Sequence, residues 1–275
     1  MINSIIFSFN RPLQLRLLLE SIKRNATDKI GQPIFNINII YKYSDEKFKK
    51  GYEKLQNEKI ISDINWVHEN NFKEDVLALF DEKYEYTNFF TDNDIVYNKI
   101  IIKDIINSFN DPNLFCFSLK LGENVTWCYM MRCDNLLRKQ ESVSENVIKW
   151  DWKKHYLDFG YPWSVNTHVF KTKDIFKLIK KVSFNNLNYL ENNLQIFDNF
   201  PKNKMASFKH SVAVNVPINN TIDENHSIER EKESKTDFKK FNDIYLSGKI
   251  INYENLNFNN ITGCYQELSF SYKNK

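Results

Sequence analysis

Over residues 1–120, short apolar runs of β-forming residues alternate with stretches whose apolar positions recur at helical spacing, and this alternation leaves few architectures open. Residues 4–9 read as a buried strand, followed by Leu15, Leu18, Leu19 and Ile22 on one helical face. Asn10 is placed to cap that helix, and Pro12 suits its first turn. Strands are expected at 37–41, 64–67, 87–90 and 114–119. Between them lie a charged helix at 46–57, a helix carrying Phe72, Val76, Leu79 and Phe80, and a helix carrying Ile102, Ile105, Ile106 and Phe109. Parallel strands need crossover connections, which are usually helical, so the expected fold is α/β: a Rossmann-like, mainly parallel sheet with helices on both faces.

Ligands of such sheets bind at the carboxyl ends of the strands. Three segments therefore converge on one crevice: Ser8 to Arg11, Tyr43 to Asp45, and Thr91 to Asp94. The last belongs to TNFFTDNDIVY (residues 87–97), a strand running into Asp92 and Asp94. Two carboxylates one residue apart suit a hard divalent cation that keeps positions open for phosphate oxygens and water. Asp94 is equally suited to start the next helix.

Beyond residue 120 the texture changes. Trp127, Tyr129, Trp150, Trp152, Tyr156, Tyr161 and Trp163 crowd an irregular stretch, either as core filling or as rings on which sugar faces pack. Strands are expected at 164–170, 211–216 and 268–272. Thr172 is placed to cap a helix carrying Ile175, Leu178, Ile179 and Val182, and another helix is expected at 238–247. Residues 221–237 form a charged, glycine-free run that reads as a solvated loop or lid. At 275 residues the chain suits one large domain with an elaborated second half. The near balance of 38 basic and 35 acidic residues, net +3, argues against a nucleic-acid binder built on bulk charge. Cysteines at 116, 128, 133 and 264 lack metal or disulfide spacing and read as reduced core thiols. Neither a signal peptide nor a membrane-spanning run is evident, so a cytoplasmic protein, with peripheral membrane contact at most, is expected.

The segments IIFSFNRP (5–12), LESI (19–22) and FFTDNDIV (89–96) together resemble GT-A type glycosyltransferases of the family 2 kind. The resemblance implies a donor half at 1–120 and, in outline through GYPWS (160–164) and LEN (190–192), an acceptor half at 121–275. It further implies transfer of one sugar from a nucleotide-diphosphate sugar, UDP foremost; a hexosyl transfer with inversion is expected, a retaining mechanism being the open alternative. The acceptor would be a hydroxyl of a glycan, glycolipid or protein, with Mn2+ or Mg2+ as cofactor. Asp94 would ligate the metal directly, and Asp92 through water or by holding the ribose. Ser8, Asn10 and Arg11 would meet the nucleotide, and Asp45 its base. The plain alternatives are a helix cap for Asn10, a surface charge for Arg11 and a helix start for Asp45. Inversion needs a carboxylate to take the acceptor proton. Glu191, read as the start of a short helix, is the candidate, with Asp158 and Asp198 behind it, and His210 or His226 would complete the metal shell. No Gln-x-x-Arg-Trp motif is present, which favours a single addition over processive synthesis. A nucleotidyltransferase would bring a glycine-rich loop after the first strand, whereas SFNRP has none. A non-catalytic carbohydrate-binding protein of the same fold is the remaining alternative.

Overall fold

The structure is a computed structural model that describes residues 1–217 and 231–275, the side chains of 231–237 excepted. The first half runs β1 (Ile2–Phe9), α1 (Pro12–Asn25), β2 (Phe35–Lys42), α2 (Glu46–Glu58), β3 (Asn65–His68), α3 (Phe72–Ala78) and β4 (Tyr86–Thr91). It continues through β5 (Asp94–Val96), α4 (Ile102–Ser108) and β6 (Leu114–Ser118). The second half adds the ribbon strands β7 (Trp127–Cys128) and β8 (Cys133–Asp134), then β9 (Glu141–Ser142), β10 (Val147–Asp151) and β11 (His168–Lys171). It ends with α5 (Thr172–Ile179), α6 (Leu187–Leu194), β12 (Lys204–Phe208), β13 (Ala213–Asn215), α7 (Glu231–Leu246), β14 (Lys249–Ile251) and β15 (Tyr272–Asn274).

One nine-stranded sheet, in the order β3-β2-β1-β4-β11-β6-β12-β10-β9, takes strands from both halves. Its first four strands are parallel, as the alternation requires. β11 enters antiparallel between β4 and β6, and β10 lies antiparallel to β12, so the sheet is mixed but mostly parallel. Along β1, Ile2 and Ile6 face one core and Ile5 and Phe7 the other. The first core is closed by Leu15, Leu18 and Ile22 of α1, Tyr52 and Leu55 of α2, and Tyr245 of α7. The second is closed by Val76 of α3, Ile175 and Ile179 of α5, and Leu190 and Leu194 of α6. Both faces are apolar because the helical stripes supply matching surfaces. This is the Rossmann-like, mostly parallel sheet that the alternation anticipated.

Several local expectations are corrected. Asn10 does not cap α1: it adopts φ 58°, and its side chain is spent on Ser44, while Arg11 occupies the cap position without a side-chain bond. Pro12 does begin the helix. Thr172 is the first residue of α5 and not its cap, its hydroxyl lying 2.9 Å from Thr87 Oγ1. The strand expected from 164 starts only at His168, because Ser164, Val165 and Asn166 bond across the crevice and Thr167 takes φ 60°. Glu191 lies inside α6 and not at its start. The last strand is Tyr272–Asn274, and α7 begins at Glu231, so 231–237 is helical backbone where a loop was expected. The rest of the expected 221–237 lid lies outside the described residues. Cys116, Cys128 and Cys264 are buried free thiols, whereas Cys133 is exposed. No helix among the described residues is long and apolar enough to cross a membrane.

Candidate active site

The carboxyl ends of β1, β2, β4 and β6 open on the same edge, and their following residues build the site. At the end of β1 the chain turns through Asn10, where Oδ1 accepts from Ser44 N at 2.8 Å and Nδ2 donates to Ser44 Oγ at 2.9 Å. That exchange fastens the β1 loop to the β2 loop. Arg11 is buried rather than a surface charge, its Nη1 lying 3.2 Å from Asp92 Oδ1. Asp92 Oδ2 accepts from Phe9 N at 3.1 Å. Ser8 also bonds Asp92, and its hydroxyl shares a 2.7 Å hydrogen bond with Tyr52 OH. Burial pushes Asp92 above the ordinary carboxylate range, against the pull of Arg11, Ser8 and the Phe9 amide. Ser8, Arg11 and Asp92 are thus one buried unit. Asp45 is exposed and caps α2, accepting from Lys47 N and Phe48 N through Oδ1.

Asp94 starts β5 and not a helix, and none of its surface is exposed. Its Oδ2 accepts from Thr91 N at 2.7 Å and Thr91 Oγ1 at 3.1 Å, and its Oδ1 accepts from Asn215 Nδ2 at 2.9 Å. Asn215 reaches it because β13 pairs antiparallel with β5, placing Asn215 opposite Asp94. Burial raises the Asp94 carboxyl to about 6 despite these three donors.

Across the crevice, Glu191 is partly buried, and its Oε2 accepts from Val165 N at 2.9 Å. Tyr161 and Ser164 also bond it, so the two segments singled out in the second half, 160–164 and 190–192, meet. Burial pushes Glu191 upward, with Lys120 and these donors opposing. Asn166, next along, donates to Thr91 Oγ1 at 3.3 Å. Residues 164–166 therefore connect the Glu191 side to the Asp94 side directly. Lys120 is buried just past β6, and its Nζ donates to Ser164 Oγ at 3.0 Å and to Tyr265 OH at 3.4 Å.

Other candidates stand elsewhere or apart. Asp158 accepts from Asn135 Nδ2 at 2.8 Å and is pushed up by burial. Asp198 is exposed and accepts from Trp163 Nε1 at 3.3 Å. His210 is exposed between β12 and β13, and His226 lies outside the described residues. Trp150, Trp152 and Trp163 are core, each indole N–H being satisfied within the fold, so they offer no platform for a sugar. Trp127 and Tyr156 remain exposed.

Among the described residues no three His, Cys, Asp or Glu side chains gather to cage a metal. The donors present are hard oxygens: Asp94, Asp92 and the side-chain oxygens of Asn93 and Asn166, both buried without a hydrogen-bond partner. This set fits a cation of the magnesium or manganese type that draws its remaining ligands from phosphate and water.

Sequence reading missed Lys120, Asn215, Thr91 as a donor to Asp94, Asn166 and Tyr265. Lys120 and Thr91 carried a local signal, since each follows an expected strand at its carboxyl end.

No protein-family model matches the chain. It is 29% identical over 199 residues to the bifunctional glycosyltransferase pgtA of Dictyostelium discoideum, a match covering 66% of this chain and 25% of that protein. The chain therefore spans about a quarter of the length of that relative. Among solved structures, S. aureus TarS aligns over 75% of this chain and 35% of its own, at 14% identity and a TM-score of 0.46. A cytidylyltransferase from Leptospira borgpetersenii aligns over 72% of this chain and 73% of its own, at 11% identity and a TM-score of 0.38. Over those 199 residues this chain is thus similar to a glycosyltransferase.

Proposed function

We propose that the chain is a metal-dependent glycosyltransferase that moves one hexose from a nucleotide-diphosphate sugar, UDP foremost, to an acceptor hydroxyl with inversion. The observation that carries this reading is the bridge formed by residues 164–166. It bonds the Glu191 carboxylate through Val165 N and the Asp94 shell through Asn166 Nδ2, so an anion-handling side and a proton-accepting side face one crevice.

In this mechanism the nucleotide lies over the β1 and β2 loops, whose relative position is set by the Asn10–Ser44 exchange. Asp45, with both cap bonds on Oδ1, offers its other oxygen to the base. Arg11 and Ser8 hold Asp92 in place below the sugar-phosphate. Asp94 directly, and Asp92 through water, would hold the cation, with Asn93 and Asn166 oxygens beside them. A bound divalent cation would supply charge neutralisation on the departing diphosphate, worth roughly several kcal/mol of barrier. Glu191 takes the acceptor proton as the acceptor oxygen attacks the anomeric carbon from the side opposite the leaving group. Burial raises its proton affinity, the direction that makes a carboxylate a better proton acceptor.

A thermal-shift screen of UDP, GDP and CMP and their sugar conjugates, each with and without manganese, tests this reading. Stabilisation by one nucleotide diphosphate that requires the metal, followed by sugar transfer from that donor, is the expected result. A chain that responds to none of them, or transfers sugar at an unchanged rate in chelator, is not this enzyme.

A further inference from the structure

Lys120 is buried, yet among the described residues the groups that accept from its ammonium are two hydroxyls, Ser164 Oγ at 3.0 Å and Tyr265 OH at 3.4 Å, with the Tyr265 ring centroid at 4.8 Å. A buried ammonium held only by neutral acceptors is costly unless a countercharge stands near. Burial lowers its proton affinity, and Tyr265, Cys264 and the carboxylates of Glu191 and Asp94 together more than offset that. The cation is therefore built into the site.

Proton counting orders the contacts. An ammonium donates and never accepts, so Ser164 Oγ accepts from Lys120. The single Ser164 proton is then free to point elsewhere, and its options are Glu191 and, at 3.4 Å, the carbonyl of Asn166. The charged carboxylate is the stronger acceptor. Lys120, Ser164 and Glu191 thus form a directed chain. Glu191 is met besides by Val165 N, the Tyr161 hydroxyl and, through space, Tyr265. Among these Lys120 is the one permanent positive charge.

We propose that Lys120 is a positioning residue for Glu191: it turns the Ser164 hydroxyl toward the carboxylate and favours the ionised carboxylate among otherwise neutral neighbours. This rests on the reading of Glu191 as the proton acceptor, and it extends to the C-terminal segment, which contributes Tyr265 to the same cation.

The test uses the full chain as wild type, K120M, K120R and S164A, with glutamate side chains labelled with 13C at the carboxyl carbon. The Glu191 resonance is assigned by its loss in E191Q. In K120M its titration midpoint should rise by about one pH unit, with K120R returning it toward wild type. The acid limb of the sugar-transfer pH profile should move the same way. An unchanged Glu191 midpoint in K120M overturns the proposal whatever the enzyme transfers. If the midpoint moves but E191Q transfers sugar at the wild-type rate, Lys120 keeps its positioning role and the base assignment falls instead. Should K120M fail to fold, S164A carries the test: an upward midpoint supports the chain, and an unmoved one refutes it.

Discussion

Replacing Asp94 with Asn should stabilise the metal-free protein at neutral pH while abolishing its activity. The substitution keeps size and shape. The new carbonyl can take both Thr91 donors, and Asn215, a side-chain amide, can turn its oxygen toward the new NH2 group. What disappears is a charge in a position with no solvent exposure. The carboxyl titrates at about 6 in the fold against an ordinary 3.8. That difference corresponds to about 3 kcal/mol at pH 7. The sign follows from linkage: a carboxyl whose folded-state pKa is raised favours the fold below pH 3.8, and the advantage is lost as pH climbs from there through about 6. Wild type and D94N should therefore melt alike near pH 4 and diverge by about 1–3 kcal/mol at pH 7.5, the lower bound allowing for imperfect amide bonding. Urea unfolding at both pH values, in EDTA, measures it. Equal gaps at the two pH values, or a less stable D94N at pH 7.5, would refute the burial argument. Adding manganese and the nucleotide diphosphate should then stabilise wild type and leave D94N unmoved. Such a trade of stability for function is expected where a charge is kept buried for a ligand.

Three further outcomes follow from the same geometry. R11M leaves the Asp92 carboxylate buried without its ion-pair partner and should cost about 3 kcal/mol or more in a thermal or urea melt, whereas a near-neutral effect would mean the pair is not formed. E191Q should lower turnover by at least about a hundredfold, with nucleotide affinity from calorimetry little changed, since the residue would act only on the acceptor proton. G51A would place a Cβ 2.6 Å from Pro12 Cγ and closer still to Asn242 Oδ1, wedging α2 away from α1 and α7, and should destabilise by about 1–3 kcal/mol in the same melts.

The first half of the fold was legible because its information is local. Ile5 and Phe7 alternate with Ile2 and Ile6 on a strand, and Leu15, Leu18 and Ile22 repeat on a helix, so each element declares its own type and buried face. The carboxyl-end rule then brought the loops after β1, β2 and β4 together without any knowledge of side-chain packing. The second half resists that kind of reading, because its determinants are pairings between distant segments. β11 turns antiparallel between β4 and β6, and the residues just before it abandon strand geometry to bond Glu191 and Thr91; no local pattern encodes either choice. Aromatic density misled for a related reason, since a tryptophan buried against Phe159 and one open to solvent look the same in a sequence. The site shows the same division. Asp92 and Asp94 announce themselves by spacing, but what separates their roles is Arg11 on one and Asn215 on the other, partners 81 and 121 residues away. Asp92, tied to Arg11 and to the β1 backbone, belongs to the scaffold that aims the loop. Asp94, held by Thr91 and Asn215 with no ion-pair partner among the described residues, is the carboxylate whose charge a cation would most relieve.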